Sequence, residues 1–390
     1  MDQASDIAAT VSARAEDLVR LRRDLHQNPE VGFQETRTAS VIAERLQGAG
    51  IPARTEVGGT GVVGVLDGAS PGRTLMIRAD IDALPVRELT GLPFASGNGN
   101  MHACGHDGHI AMAIGAAETL AGLREQLAGR VVFVFQPAEE FVEGAKAMIA
   151  DRVIEDYAPD RVIGLHLWNQ YPTGFIGVNP QTVFASADII RITVRGRGGH
   201  GALPHQAVDP VVIAAHIVSA LQTIVSREIP PSAMGVVTIG AIKGGSAGNV
   251  IADEVVMHGT VRAYLPEVRE AIFAAIERTA TGIASAMRGE AELETLHGTP
   301  PVVNDPVVAG WVTDVARQAE GATEVGEHDP VSVGDDMAEF LQRVPGCYFL
   351  LGAGGPDRYP HHNARFDFDE ACLTTGVEVF VRAATDYLRP

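Results

Sequence analysis

The chain has 390 residues, with 30 lysines and arginines against 49 aspartates and glutamates, a formal net charge of −19. Apolar residues make up 46% and charged residues 20%; that much apolar surface offsets chain entropy and excludes disorder as the main character. The acidic balance excludes a phosphate-binding basic face, so neither nucleic acid nor an anionic membrane surface is expected as a partner. Cys104, Cys347 and Cys372 are too few, and odd in number, for a disulfide framework. The N-terminal stretch lacks the basic-then-apolar pattern of a signal peptide, and no apolar run approaches the roughly 18 residues of a membrane span. The expectation is a cytoplasmic protein of two or three domains, at roughly 150 residues each.

Leu18, Val19, Leu21 and Leu25 have helical spacing, and Asn28-Pro29 ends that helix. Residues 36–48 read as a second helix with a glycine stop. GVVGVL and RTLMIRAD read as strands, the second buried on both faces. A long helix over 107–127, the strand GRVVFVFQ, the helix EGAKAMIADRVI and the strand RVIGLHLW follow. Strands alternating with helices predict a mixed, mostly parallel sheet flanked by helices, an α/β domain. Near residue 180 the pattern changes. ADIIRITVRGR alternates apolar and polar residues, and a β-α-β-β-α-β order runs on to AELETL, the ferredoxin-like unit. Helix–strand alternation then resumes, with helices at 306–319 and 369–388 around the strand GCYFLLG. These changes divide the chain into a discontinuous domain, 1–181 and 297–390, interrupted by an inserted α+β domain, 182–296.

Chemistry-bearing residues gather at a few places. MHACGHDGHIAM holds His102, Cys104, His106, Asp107 and His109 within eight positions. Thiolate and imidazole suit zinc-like metals, and His106 and His109 share a helical face; the plain alternative is a helix start with Asp107 in its first turn. Glu139 and Glu140 follow the strand VVFVF, where open α/β sheets place ligands. One such carboxylate can bind metal while its neighbour works on a water, or both can simply favour a helix N-terminus. His166 lies near the end of another apolar strand. Of the adjacent His361 and His362, at most one is a ligand, because neighbours in extended chain point apart. Asp80 and Asp82 close the strand RTLMIRAD and either orient ligand histidines or form a turn before Pro85. In the inserted unit, His200 and His205 lie among glycines, with Asn249 and Arg262 further on. These three types suit an oxyanion and a carboxylate, or ordinary loop chemistry.

Taken in order, LHQNPEVGFQE, MIRADIDALPV, MHACGHDGHIAM, FVFQPAEE, GLHLWN, GGHGALPH, GNVI, GTVRAY and HHNARFDFDE resemble the M20 metallopeptidase/amidohydrolase family over essentially the whole chain. The branch is that of hippurate hydrolases, N-acyl-amino-acid amidohydrolases and auxin-conjugate hydrolases. The resemblance implies two divalent ions (zinc, manganese, cobalt or nickel) held by Cys104, His106, Glu140, His166 and His362. It also implies Glu139 as general base and His200, Asn249 and Arg262 as substrate contacts. In related enzymes the His and Asn reach the partner subunit's site, so the inserted domain is expected to act as lid and dimerisation domain of a homodimer, with a tetramer open.

The expected reaction is hydrolysis of the amide of an N-acyl amino acid to a carboxylic acid and a free amino acid. Glu139 takes a proton from water and returns it to the leaving amine, with His200 assisting at the oxyanion. A dipeptidase or carboxypeptidase of the same family, a cysteine nucleophile at Cys104 and a silent binding protein are the alternatives. The acyl group and the amino acid are not legible. Two departures stand out: Ala364 where the family has proline after the last ligand, expected to loosen that loop, and Gly334-Asp335-Asp336-Met337 in place of Ser/Gly-Glu-Asp-Phe, expected to shift substrate preference.

Overall fold

Strands that are apolar on both faces need cover above and below, and the chain provides it. The structure, a computed structural model, describes residues 3–390. It divides into two compact units: residues through Val183 with Val303–Asp329 and Asp336–Pro390, and Phe184–Val302 with the short return segment Pro330–Asp335.

The first unit is built on an eight-stranded sheet. Its spatial order is Ala53–Val57, Gly61–Asp67, Ala128–Gln136, Ser70–Asp80, Arg161–Pro172, Gly346–Gly354, Phe175–Gly177, Glu324–Gly326. The four strands from Ala128–Gln136 to Gly346–Gly354 are parallel, and antiparallel pairs lie toward the edges, giving a mixed sheet. Register pairs Asp80 with Gln136 and Arg78 with Gly164, so the chain leaves the first two of these strands at the same edge, level with His166. The long helix His106–Gly122 is buried on nearly every side, which fits its uniform run of alanine, isoleucine and methionine rather than an amphipathic stripe. EGAKAMIADRVI, expected as one helix, forms two, Gly144–Ala150 and Val153–Tyr157. Arg152, left-handed at φ 67°, breaks the run between them.

The second unit is an antiparallel sheet ordered Gly235–Gly244, Glu254–Ala263, Ala187–Arg195, Glu290–Thr299, with the helices Pro210–Thr223 and Pro266–Ala286 packed on it. This is the β-α-β-β-α-β unit read from the sequence. Its core holds Ile190, Ile192, Ile213, Ile217, Leu221, Met257, Ile272 and Ile276. Among the described residues one helical stretch, Pro210–Glu228, is long and apolar enough to cross a membrane by length and composition. This corrects the expectation that no run reaches that length; Ile213, Ile217 and Leu221 pack it into the unit's core.

A buried charge network ties the helix Ala15–Gln27 to the long helix. Arg22 donates to Asp107 at 2.8 Å, to Asp367 at 3.1 Å and to Glu370 at 3.1 Å, and its guanidinium lies 4.2 Å from the Phe368 ring centre. His26 Nδ1 meets the same Asp107 oxygen at 2.8 Å and its Nε2 meets Glu88 at 3.2 Å. Burial alone would lower the His26 pKa, but Asp107 and Glu88 overcome it and raise it to about 9. A folded-state value above the ordinary 6.5 means that this contribution is complete below pH 6.5 and is lost as pH climbs through about 9. Unfolding free energy should therefore decline by about 3 kcal/mol across that window. In denaturant titrations the decline should be absent from His26→Gln, which cannot titrate; an equal decline in that variant would place its origin elsewhere. Arg22→Met, which leaves Asp107 buried without its main counter-charge, should cost about 3–5 kcal/mol in the same titrations.

Candidate metal centre

The parallel strands deliver their polar residues to one edge of the first unit. Asp80 ends one strand, Asp82 follows it, Gln136 ends the next, and Glu139–Phe141 form a single 3₁₀ turn just beyond. The helix His106–Gly122 starts against this edge. Gly108 is needed there: a Cβ would sit 2.5 Å from Leu167 Cδ1 and 2.8 Å from Phe368 Cζ, so only glycine lets the first helical turn approach the strand carrying His166.

The donor atoms of Cys104, His106 and His166 lie within 4.8 Å of one another, as do those of Cys104, Glu140 and His362, and those of His106, Glu139 and Glu140. Five residues expected as ligands and the expected base therefore meet in one place, and Cys104 belongs to two of the groups. Each imidazole is oriented from behind. His166 Nδ1 donates to the Leu167 carbonyl at 2.7 Å, leaving Nε2 facing Cys104 Sγ at 3.5 Å. His106 Nδ1 donates to the Asp82 carbonyl at 2.9 Å, with the Asp82 carboxylate at 3.3 Å. Its Nε2 is buried without a hydrogen-bond partner and faces Glu139 at 3.8 Å. His362 Nε2 lies 3.3 Å from Glu140 and is the exposed member of the cluster. Its loop is anchored despite Ala364: His362 N–H donates to the Ala103 carbonyl at 2.8 Å, and the Ala364 carbonyl accepts from Leu89 N–H at 2.7 Å.

Two histidines of the motifs have other work. His109 Nδ1 binds Asp80 at 2.5 Å while its Nε2 accepts the Leu167 N–H at 2.9 Å, so both nitrogens are engaged and none is left for a metal. His361 Nε2 donates to the Leu167 carbonyl at 2.9 Å, and its ring packs on Trp168 with centres 4.5 Å apart. His102 is wholly buried, and burial lowers its pKa to about 3. Asp80 and Asp82 both stand behind histidines, Asp80 against His109 and Asp82 against His106.

The sequence assigns no role to Arg78, and Asp336 stands out in it only within a segment that departs from the family pattern. Arg78, in the middle of an apolar strand, donates to Gln136 at 2.8 Å, Asp80 at 2.7 Å and Asp336 at 3.1 Å. Asp336 also accepts from the Gln136 amide at 2.7 Å and from Ala145 N–H at 2.9 Å, clamping both ends of the glutamate-bearing loop. The signal available was a lone arginine inside a strand otherwise apolar, which must find a buried partner.

Electrostatics favour a cation here. Burial by itself would lower the His106 pKa, yet Asp80, Asp82 and Glu140 raise it to about 10. The Glu140 hydrogen bond raises His362. His166, by contrast, is held well below 6.5 by burial and by His109 and His361, so it stays neutral and ready to donate its lone pair. A soft sulfur, three imidazoles and two carboxylates, with the buried His106 Nε2 aimed at their centre, fit divalent metal ions.

In the second unit His200 and Asn249 come together. Gly199–His200 pairs antiparallel with Val250–Ile251, and Gly201 N–H donates to the Asn249 carbonyl at 2.8 Å. Both side chains are exposed, and His200 Nδ1 accepts Ala202 N–H at 3.1 Å. Arg262 sits half-buried on the strand Glu254–Ala263, and its Nη1 donates to the Val261 carbonyl at 3.0 Å and to the Asp188 carbonyl at 3.5 Å.

The model of peptidase family M20/M25/M40 matches residues 76–386. The chain belongs to this family. It is a hydrolase, 41% identical over 377 residues to the Bacillus subtilis protein YhaA, with 95% of each chain covered. It is 39% identical to the Bacillus subtilis N-acetyl-L-cysteine deacetylase, with 93% of this chain and 86% of that one covered. Among solved structures it superposes with a TM-score of 0.85, at 34% identity and over 97% and 99% of the two chains, on a Bacillus subtilis M20-family protein described as a dinuclear metal-binding peptidase.

Metal binding to such a site must displace protons. With His106 protonated at neutral pH in the metal-free protein, adding zinc to the chelated protein at pH 7.5 should release about one proton per chain or more. Calorimetric titration in two buffers of different ionisation enthalpy reads that number directly; binding with no proton release would contradict the assigned protonation of His106.

Proposed function

We propose that the chain hydrolyses the amide bond of N-acyl amino acids, using two divalent metal ions held by Cys104, His106, Glu140, His166 and His362, with Glu139 as general base. The observation that supports it most is the meeting of two three-donor groups at the Cys104 sulfur, beside the Glu139 carboxylate, which groups with His106 and Glu140. When bound, the ions polarise the scissile carbonyl and lower the pKa of water. Glu139 takes the proton from that water and carries it to the leaving nitrogen. Asp82 and the Leu167 carbonyl fix the tautomers of His106 and His166, presenting each Nε2 lone pair inward. With Cys104 common to both donor groups, His106 and neutral His166 complete the softer side of the cluster, while Glu140 and the exposed His362 make the other harder and more open.

His200, Asn249 and Arg262 are assigned to the carboxylate and oxyanion of the substrate. Arg262, which forms no ion pair with a carboxylate among the described residues, is suited to a bidentate grip on the amino-acid carboxylate. The second unit would serve as lid and as the face of a homodimer. The name of the deacetylase relative points to small acyl groups such as acetyl as the first to test. Dipeptides present the same amide and the same free carboxylate, so they belong in the same panel.

Glu139→Gln should keep both metals, measured by plasma mass spectrometry, and lose about 10²–10⁴-fold in kcat on the best N-acyl amino acid. Metal retained with near-normal kcat would overturn the assignment of the base. Activity that survives exhaustive chelation would overturn the metal mechanism and favour the Cys104 thiolate as nucleophile.

A further inference from the structure

Two left-handed residues bracket the glutamate pair. Ala138, at φ 49°, precedes Glu139, and Val142, at φ 59°, follows Phe141. Side chains disfavour this region, and a β-branched residue there is an outlier. Such backbone persists only where its surroundings over-determine it.

At the front of the turn the surroundings come from a distant stretch of the chain. Glu35 is fully buried, and its Oε1 accepts the Ala138 N–H at 2.9 Å. Its other oxygen accepts the Thr60 hydroxyl. Gly32, three residues earlier, packs directly on the turn: a Cβ there would lie 3.0 Å from Ala138 Cα and 2.9 Å from Phe141 Cδ2. The same short segment therefore seats the turn by contact and by a hydrogen bond that reads its backbone. Burial pushes the Glu35 carboxyl above its ordinary range; glutamine keeps an acceptor oxygen at the same reach for the Ala138 N–H.

We propose that Glu35 is a positioning residue for the general-base turn: by accepting the Ala138 N–H it holds Ala138 left-handed and so aims Glu139 and Glu140 into the metal cluster. The inference rests on the roles given above to Glu139 and Glu140. It makes a distinctive demand. If Glu35 acts by sustaining an unfavourable backbone conformation, then glycine at 138, which adopts positive φ freely, should relieve the need for it.

The test uses the full-length metal-loaded enzyme and reads kcat, KM, metal affinity by chelator competition, and Tm. Glu35→Ala should lower kcat by about 10–100-fold and weaken binding of the more loosely held ion by about tenfold, the range typical of groups that act through a ligand. KM should stay within about twofold. Glu35→Gln should keep at least about a third of kcat, because its carbonyl still accepts from Ala138. Adding Ala138→Gly to Glu35→Ala should recover about tenfold of both kcat and metal affinity without restoring Tm.

Three results would overturn the proposal: no recovery in the double variant, a glutamine variant as poor as the alanine one, or losses that follow Tm alone. Should Glu35→Ala fail to fold, Glu35→Asp, which withdraws the acceptor by one methylene, is carried through the same rescue. Glu139→Gln is measured alongside. If it is inactive and no rescue occurs, only the role of Glu35 falls. If it is active, the general-base assignment falls, and the rescue of metal affinity still reports whether Glu35 holds the turn.

Discussion

Burying Asp80, Asp82, His106 and Glu139 beside one another strips water from every one of them, and each charge must then be compensated by its neighbours. The chain meets this with two shells of interaction. Outside stand Arg22 and Arg78, both buried, each spread over several carboxylates and so fixing where those carboxylates point. Inside stand the imidazoles, whose outward nitrogens are committed to backbone or carboxylate oxygens. What remains is a set of inward donor atoms surrounded by negative charge. In the metal-free protein a proton on His106 answers that charge; a divalent ion answers it better.

The sheet decides where this can happen. Four parallel strands end at one edge, and register alone brings Asp80, Gln136 and His166 level. The long helix adds Cys104 and His106 from its entry loop, and Gly108 lets that helix start close enough to the His166 strand for the three donors to meet. His362 arrives from a loop whose backbone bond to Ala103 ties it to the residue before Cys104. The donors thus come from four separate places, the helix entry, the Glu139–Phe141 turn, the Arg161–Pro172 strand and the loop of His362, and the geometry of the cluster is a property of the packed unit.

The inner groups were legible in the sequence because metal-ligating types recur at short spacing: Cys104 and His106 in one motif, Glu139 and Glu140 in another. The outer groups were not. Arg78 reads as an interruption in an apolar strand, and its partner Asp336 lies 258 positions away, in a segment noticed only for departing from the family pattern. Glu35 closes the motif LHQNPEVGFQE, but nothing local says what it does, since its partner is a backbone N–H 103 positions distant. His109 looked as good a ligand as His106, and only the fold shows both its nitrogens engaged. The β-α-β-β-α-β unit and the alternating strands and helices were plain from periodicity. The break between Gly144–Ala150 and Val153–Tyr157 was not, because a left-handed arginine leaves no compositional mark.

Cys104 belongs to both three-donor groups, so its sulfur is expected to serve both halves of the cluster. X-ray absorption at the zinc edge of fully loaded protein measures this without reference to activity. The prediction is a sulfur shell at about 2.3 Å whose amplitude corresponds to one sulfur per zinc at both sites, with a zinc–zinc vector of about 3.5–4 Å. A sulfur shell of half that amplitude would confine the thiolate to one ion, and no zinc–zinc vector would mean that the two donor groups do not form a shared dinuclear centre.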